Sequence, residues 1–482
     1  MKTNFILGIM ILTLFSGCQT SNEKSTYDDA QNNFDTVKFT FTSFDSIELP
    51  AQLIITPGSK RTVLFLNGST PYDEKGNIGS LLPGNQMIKA RQDFYVRFIE
   101  VMTRKGYDVA TFSKRSFTYP HLRPSLDELA KDAYQFIDAL ENKSQLKDLI
   151  IVGYSEGSRV ASMLVKHTNA NACILLGSAS TQFDYVTGDW KDWPMGKAYK
   201  RIRGWNDEQV KKEYEQWSDI MCSLQNMDEA YFESEYKTSN PHGFGFAPWE
   251  SFRIDRAVQF YNPTDDLVQS GAPVLIVIGE KDLAMPMEFA RRTYEDLLAA
   301  GHDAQFYLIP DEGHQYSKYD VFAVMHSWIE GEEDLLSFDD TDREIMDQYE
   351  KITKITTAIS RLSYDVPNPE IDTLFLQAEA ISYRIPDRWF KLALVLFNNG
   401  KLEESFKAFD FAADPDFAIY YAPLAWKGHI LDIQGHREEA IEYYKKALEY
   451  YPGFPVQHDH WGIVLTEEYI KGRMEEPFKG VK

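Results

Sequence analysis

A serine stands between two glycines in Gly153-Tyr154-Ser155-Glu156-Gly157, after the apolar run Leu149-Ile150-Ile151-Val152 and before a small-residue helical pattern starting at Ser158. The order predicts a buried strand, a sharp turn and a helix, with Ser155 at the tip. Such a turn forces its central residue into a backbone conformation most residues avoid, and its neighbours two positions away must be small. The hydroxyl then stands clear of the sheet, and the new helix points free N–H groups at whatever forms there. A serine hydroxyl is a weak nucleophile until a base takes its proton, so Ser155 needs a histidine and a group that orients it.

Position selects both. The segment Ala272 to Gly279 reads as a buried strand, and Glu280-Lys281-Asp282 follows it at once. A helical pattern runs from Met287 to about Ala300, then a short strand from Ala304 to Ile309, then the loop Pro310-Asp311-Glu312-Gly313-His314. Asp282 and His314 are thus expected at the carboxyl ends of neighbouring parallel strands, the edge where open α/β sheets place chemistry. Ser155 is assigned as nucleophile, His314 as general base and then acid, and Asp282 as the group that fixes the imidazole. Asp311 and Glu280 are rival acids, and Glu280, one residue past its strand, is expected to point elsewhere.

An acyl-transfer site also needs donors for the oxyanion. One is the N–H of Glu156, the residue after the nucleophile; the second comes from the loop after an earlier strand. Thr62 to Leu66 is that strand and Asn67-Gly68-Ser69-Thr70 the loop, with Gly68 letting the backbone turn so that the Ser69 N–H faces Ser155. An ordinary strand-ending turn is the alternative.

These motifs resemble the α/β-hydrolases, and within them the dienelactone-hydrolase-like and acyl-thioester-hydrolase-like esterases of bacteria. The resemblance is carried by Asn67-Gly68-Ser69-Thr70-Pro71-Tyr72-Asp73, by Phe112-Ser113-Lys114-Arg115-Ser116, by the Ser155 pentapeptide, by Gly279-Glu280-Lys281-Asp282 and by Glu312-Gly313-His314. It implies a mostly parallel α/β sheet with a helical lid, and hydrolysis of a small-molecule acyl ester through an acyl-enzyme. A thioester or a peptide bond stays open on the same three residues. In relatives that look like this, Lys114-Arg115 caps a strand and packs under the oxyanion loop; binding a substrate carboxylate or phosphate is the alternative. The usual histidine before the oxyanion glycine is Asn67 here, which leaves the backbone donors and changes their support. The Glu156 carboxylate is expected at the first turn of its helix, where the dipole favours it. No cofactor and no metal are implied; His458-Asp459-His460 has no third ligand at helical spacing nearby.

The rest of the chain surrounds this unit. A length of 482 residues suggests about two to three domains. The net charge of −23 argues against nucleic acid as a partner. At the N-terminus, Lys2, the apolar run Phe5 to Phe15 and Ser16-Gly17-Cys18 read as a lipoprotein signal over 1–17, with Cys18 lipidated and 18–36 a flexible tether. The run is shorter than the about 20 residues a spanning helix needs. The expected location is the bacterial cell envelope, held at the membrane by the lipid anchor alone. A Cys173–Cys222 disulfide is permitted there and nothing in the spacing requires it.

The hydrolase unit is expected over 37–331, with a lid at about 181–266. The lid holds Trp190, Trp193, Trp205, Trp217, Trp249, Tyr231, Phe232, Phe244 and Phe246, which either line a substrate pocket or form the lid's own core, and it has a helix from Asp207 to Met227. An acidic linker over 332–342 leads to a helical domain over 343–482. There Ala393, Leu396, Ser405, Phe409 and Ala412 are answered at one constant offset by Gly428, Leu431, Ala440, Tyr444 and Ala447, with Pro415 and Pro452 near the unit ends. The offset is close to the roughly 34-residue tetratricopeptide period. A degenerate unit from Arg343 to about Arg384 either completes that stack or docks on the hydrolase. The repeats suggest a protein partner. A reading of another class makes the chain an envelope interaction protein whose hydrolase domain is inactive or secondary.

Overall fold

The computed structural model describes residues 34–82, 86–91, 93–119, 122, 124–143, 146–177, 189–226, 261–364, 368–380, 386–413, 420–451, 457–458, 461 and 463–480. Cys18 and the tether to residue 33 lie outside these, as do Trp249, Tyr231, Phe232, Phe244, Phe246, Pro415, Pro452, Asp459 and His460.

Among the described residues ten strands precede the helical region: β1 Asp35–Thr42, β2 Glu48–Ile55, β3 Arg61–Leu66, β4 Asn77–Leu82, β5 Gln86–Arg91, β6 Asp108–Phe112, β7 Asp148–Tyr154, β8 Ala172–Leu176, β9 Val274–Gly279 and β10 Ala304–Ile309. Eight of them form one sheet in the order β1-β2-β6-β3-β7-β8-β9-β10, and β4 pairs with β5 alone. Pairing is antiparallel for β1/β2 and β2/β6 and parallel across the rest. The expected mostly parallel α/β sheet is therefore present.

Every residue of β8 and β9 is buried, as continuous apolar runs covered on both faces should be. Alternation along each strand splits the contacts between two cores. Leu64, Leu66, Ile151, Leu175 and Ile276 face one with Phe136 and Leu164. Val63, Phe65, Val152, Leu176 and Val277 face the other with Phe98 and Phe322. Cys173 is a free, fully buried thiol on β8.

In the described part of the insertion a helix runs over Asp207–Asn226, as the sequence predicts. Its aromatics mainly pack on one another: Trp193 stands edge-on to Tyr199 and Tyr214, and Tyr199 packs on Trp205 at 4.4 Å. Arg201 ties this unit to the sheet edge by donating to the Glu280 carbonyl.

The stretch 332–342 keeps its Glu332, Glu333 and Asp334 side chains exposed but packs at a few positions. Leu335, Leu336 and Phe338 lie against the core that holds Phe322. Asp339 caps helix Asp340–Arg361 in a reciprocal box with Asp342. Asp342 is 1% exposed, and its carboxylate pairs with Lys105 at 2.6 Å and accepts from the Tyr319 hydroxyl at 2.7 Å. Ile345 completes the core of the sheet unit, whereas Ile355 and Ile359 belong to the core of the C-terminal helices. At 1.5 Å rise per residue, one helix joins two cores about 15 Å apart. The segment from Arg343 thus both docks on the sheet unit and enters the helical stack.

Among the described residues the C-terminal region is helical apart from the short antiparallel pair Gln457–His458 and Ile463–Val464, and its repeat positions do what small-residue spacing predicts. Ala393, Leu396, Ser405, Phe409, Ala412, Ala440, Tyr444 and Ala447 are fully buried. A Cβ on Gly428 would stand 2.6 Å from the Tyr444 ring, so a larger residue there would force that buried ring to shift.

Because one helix serves both cores, ending the chain after Asp342 is expected to destabilise the sheet unit by about 2–5 kcal/mol, the cost of emptying a buried Ile-sized site. Denaturant unfolding of the shortened and full chains, followed at the sheet unit, checks this. Equal stability would mean that Ile345 contributes nothing to that core.

Candidate active site

Ser155 sits at φ 56°, ψ −121°, between the end of β7 and helix Glu156–Val165. A non-glycine residue in that region carries about 1–3 kcal/mol of strain and persists only where its surroundings impose it. Close backbone contacts impose it here. A Cβ on Gly157 would stand 2.1 Å from the Leu66 carbonyl oxygen, and one on Gly153 2.3 Å from the Gly157 oxygen. The Ser155 N–H donates to the Leu176 carbonyl at 2.8 Å, which holds the tip against β8.

The structure brings Ser155, His314 and Asp282 into one hydrogen-bonded line. His314 Nε2 lies 3.0 Å from Ser155 Oγ, and Nδ1 lies 2.7 Å from Asp282 Oδ2. A carboxylate can only accept, so the proton belongs on Nδ1 and the Nε2 lone pair faces the hydroxyl. Asp282 is fully buried, and its other oxygen accepts from the Met285 N–H at 2.7 Å. The rival acids are engaged elsewhere. Glu280 accepts from the Asp311 N–H at 3.0 Å, and Asp311 pairs with Lys281 at 2.7 Å.

Several residues that hold His314 escaped the sequence reading. Tyr154 donates its hydroxyl to the His314 carbonyl at 2.9 Å. Buried Glu312 accepts from the Gly313 and Lys318 N–H groups and the Ser317 hydroxyl, and Arg97 donates to the Tyr316 and Ser317 carbonyls. Gly279 lets the loop approach: a Cβ there would stand 2.5 Å from the Glu312 oxygen. Gly177, at φ +62°, has the histidine itself beside it, with an added Cβ 3.2 Å from His314 Cε1. A glycine directly after each of two apolar strand runs was the available signal.

The loop from Asn67 to Thr70, expected to carry an oxyanion donor, lies against the serine. A Cβ on Gly68 would be 3.3 Å from Ser155 Cβ. The Gly68 N–H is occupied by Asn67 Oδ1 at 2.8 Å. The N–H groups of Ser69 and Glu156 have no protein acceptor among the described residues. Downstream, Asp73 braces the loop by accepting from the Lys75 and Asn77 N–H groups at 3.0 and 2.7 Å; burial, and then neighbouring Glu74, raise its carboxyl to about 6. The two basic residues divide their tasks. Arg115 is 2% exposed in an ionic network with Asp132 and Asp45. Lys114 pairs with the Glu156 carboxylate at 2.6 Å and donates to the Gly68 carbonyl. Among the described residues no group of three or more His, Cys, Asp and Glu could hold a metal ion.

This packing makes Gly177→Ala informative. The added methyl meets the imidazole edge in a left-handed conformation costing about 1–2 kcal/mol. We expect a folded protein that reacts with a fluorophosphonate at least about tenfold more slowly than the parent. An unchanged labelling rate would mean that His314 is free to shift.

Residues 82–316 match the family model described as alpha/beta hydrolase fold, and residues 422–454 match that of the tetratricopeptide repeat. Asp282, His314 and Ser155 fall inside the first match, whereas the loop from Asn67 to Thr70 precedes it. No curated protein matches the chain. Among solved structures it is similar to an esterase of Pyrococcus furiosus, at 15% identity and a TM-score of 0.38, over 62% of this chain and 90% of that one. It is similar also to a highly thermostable carboxyl esterase from Bacillus coagulans, at 14% identity and a TM-score of 0.41, over 61% of this chain and 98% of that one. A third similarity is to an acylaminoacyl peptidase of Pyrococcus horikoshii, at 16% identity and a TM-score of 0.38, over 64% of this chain but 43% of the peptidase. The chain carries the alpha/beta hydrolase fold, followed by a helical region with a tetratricopeptide repeat.

Proposed function

We propose that the protein is a serine hydrolase that cleaves a carboxylic ester through an acyl-enzyme. The observation that carries the reading is the line from Ser155 Oγ to His314 Nε2 at 3.0 Å and from Nδ1 to Asp282 at 2.7 Å, beside a strained serine at a helix start.

Ser155 Oγ attacks the ester carbonyl while His314 Nε2 takes its proton, and buried Asp282 stabilises the imidazolium. The carbonyl oxygen becomes an oxyanion held by the Ser69 and Glu156 N–H groups. The intermediate collapses with cleavage of the carbon–oxygen bond, and His314 returns the proton to the departing alcohol. Water then attacks the acyl-serine, again giving its proton to His314; the acid leaves and Ser155 regains its hydrogen. An ester is favoured because its leaving group needs least assistance. A thioester or a peptide bond would use the same groups.

The same proposal has Cys18 carry a lipid anchor that holds the enzyme at the bacterial envelope, and the repeats recruit a protein partner. The lipoprotein-like Met1-to-Cys18 segment supports the first part, and the match at residues 422–454 supports the second. Cys18→Ser is expected to move the protein from the membrane fraction to the soluble one; an unchanged distribution would remove the anchor.

For the chemistry, the chain without residues 1–18 and its Ser155→Ala variant are compared on p-nitrophenyl esters from acetate to octanoate. Turnover should fall by more than about 10³-fold in the variant, and the chain-length preference sizes the acyl site. Turnover that survives in a folded Ser155→Ala protein would contradict the mechanism. A folded parent with no turnover at all would favour the interaction-protein reading.

A further inference from the structure

We infer that Lys114 is a positioning residue of the oxyanion site, acting through the Gly68–Ser69 peptide and the first turn at Glu156. The inference rests on the serine-hydrolase reading and adds to it the group that aims the two donors.

Lys114 is 8% exposed and follows β6 closely, with its own N–H donating to the Tyr72 carbonyl at 2.8 Å. Its backbone is therefore tied to the loop that follows β3, two residues past the end of β6. From there the ammonium reaches both halves of the site: it donates to the Gly68 carbonyl and pairs with Glu156 Oε2 at 2.6 Å. Glu156 supplies one of the two donors through its N–H.

The contact with Gly68 has a geometric consequence. The described chain has no cis peptide, and a trans peptide is planar with its C=O and the next N–H pointing in opposite directions. Holding the Gly68 oxygen toward Lys114 therefore turns the Ser69 N–H away from it. The Gly68 N–H cannot substitute, because Asn67 Oδ1 already accepts it. A cation on the carbonyl also polarises the amide, making its N–H a stronger donor. The benefit appears when the carbonyl oxygen of the substrate becomes charged, so it belongs to the transition state and not to substrate binding.

Lys114→Met alone would leave the Glu156 carboxylate unpaired and half-buried, which could unfold the site. The double variant Lys114→Met/Glu156→Gln removes both charges and keeps both backbone N–H groups. On p-nitrophenyl acetate its kcat is expected to fall about 10²-fold, the size of losing an oxyanion donor, with KM within about threefold of the parent. Affinity for phenylboronic acid, which forms a charged tetrahedral adduct on the serine, should fall in step with kcat/KM.

A lysine that merely neutralised Glu156 would predict parental kcat and boronate affinity in the double variant, and that result would overturn the inference. Equal losses in kcat and melting temperature, restored together by a stabilising additive, would also overturn it. Ser155→Ala run alongside separates the layers. Turnover that does not need Ser155 sinks the hydrolase reading itself, and the inference with it.

Discussion

The structure depends on one close backbone contact, where helix Glu156–Val165 comes so near the end of β3 that only a glycine fits at position 157. Ser155 owes its strained conformation to that approach, and the strain aims its hydroxyl outward. The apolar strands beneath give the frame its rigidity. β7 and β8 are buried along almost their whole length, so the turn cannot relax by letting its strand slide. Strain at a functional turn survives where packing over-determines it, and this turn is held from three directions: by the Leu66 carbonyl, the Leu176 carbonyl and the helix itself.

The same logic orders the rest of the site. His314 lies on a loop, yet its ring, its carbonyl and the residues that follow are each held by a different element. Asp282 holds the ring from the end of β9, Tyr154 the carbonyl from β7, and Arg97 the downstream carbonyls from helix Asp93–Arg104. Lys114 likewise holds the Gly68 carbonyl in the loop after β3. Tyr319, on the far side of the histidine loop, bonds Asp342 in the helix shared with the C-terminal core. The repeats are thus built onto the hydrolase unit through a common helix, and their orientation is tied to it.

How much could be read beforehand follows from where the information lies. β7, β8 and β9 were legible because parallel strands covered on both faces must be unbroken apolar runs. The meeting of Ser155, Asp282 and His314 was legible because each residue lies within five positions of the carboxyl end of a parallel strand, and the sheet brings those ends together. The partners of Lys114 were not legible, since one is a backbone carbonyl and the other lies 42 residues away, and neither leaves a spacing signal. Glu312 and Arg97 were missed for the same reason, because they bind backbone atoms. The stretch 332–342 looked like a linker because its acidic residues dominate the composition, while the buried role of Asp342 depends on Lys105 far upstream. In helix Asp340–Arg361, apolar spacing marks a buried stripe but cannot say that its two ends enter different cores.

The proposed chemistry requires Ser155 to be an activated nucleophile. The measurement is the site of covalent attachment after incubation with a fluorophosphonate, mapped by mass spectrometry of peptides from the folded chain and from its His314→Gln variant. A single adduct on Ser155, formed far more slowly in the variant, is the expected result. A folded protein with no adduct, an adduct on another residue, or equal rates in the two proteins would contradict it.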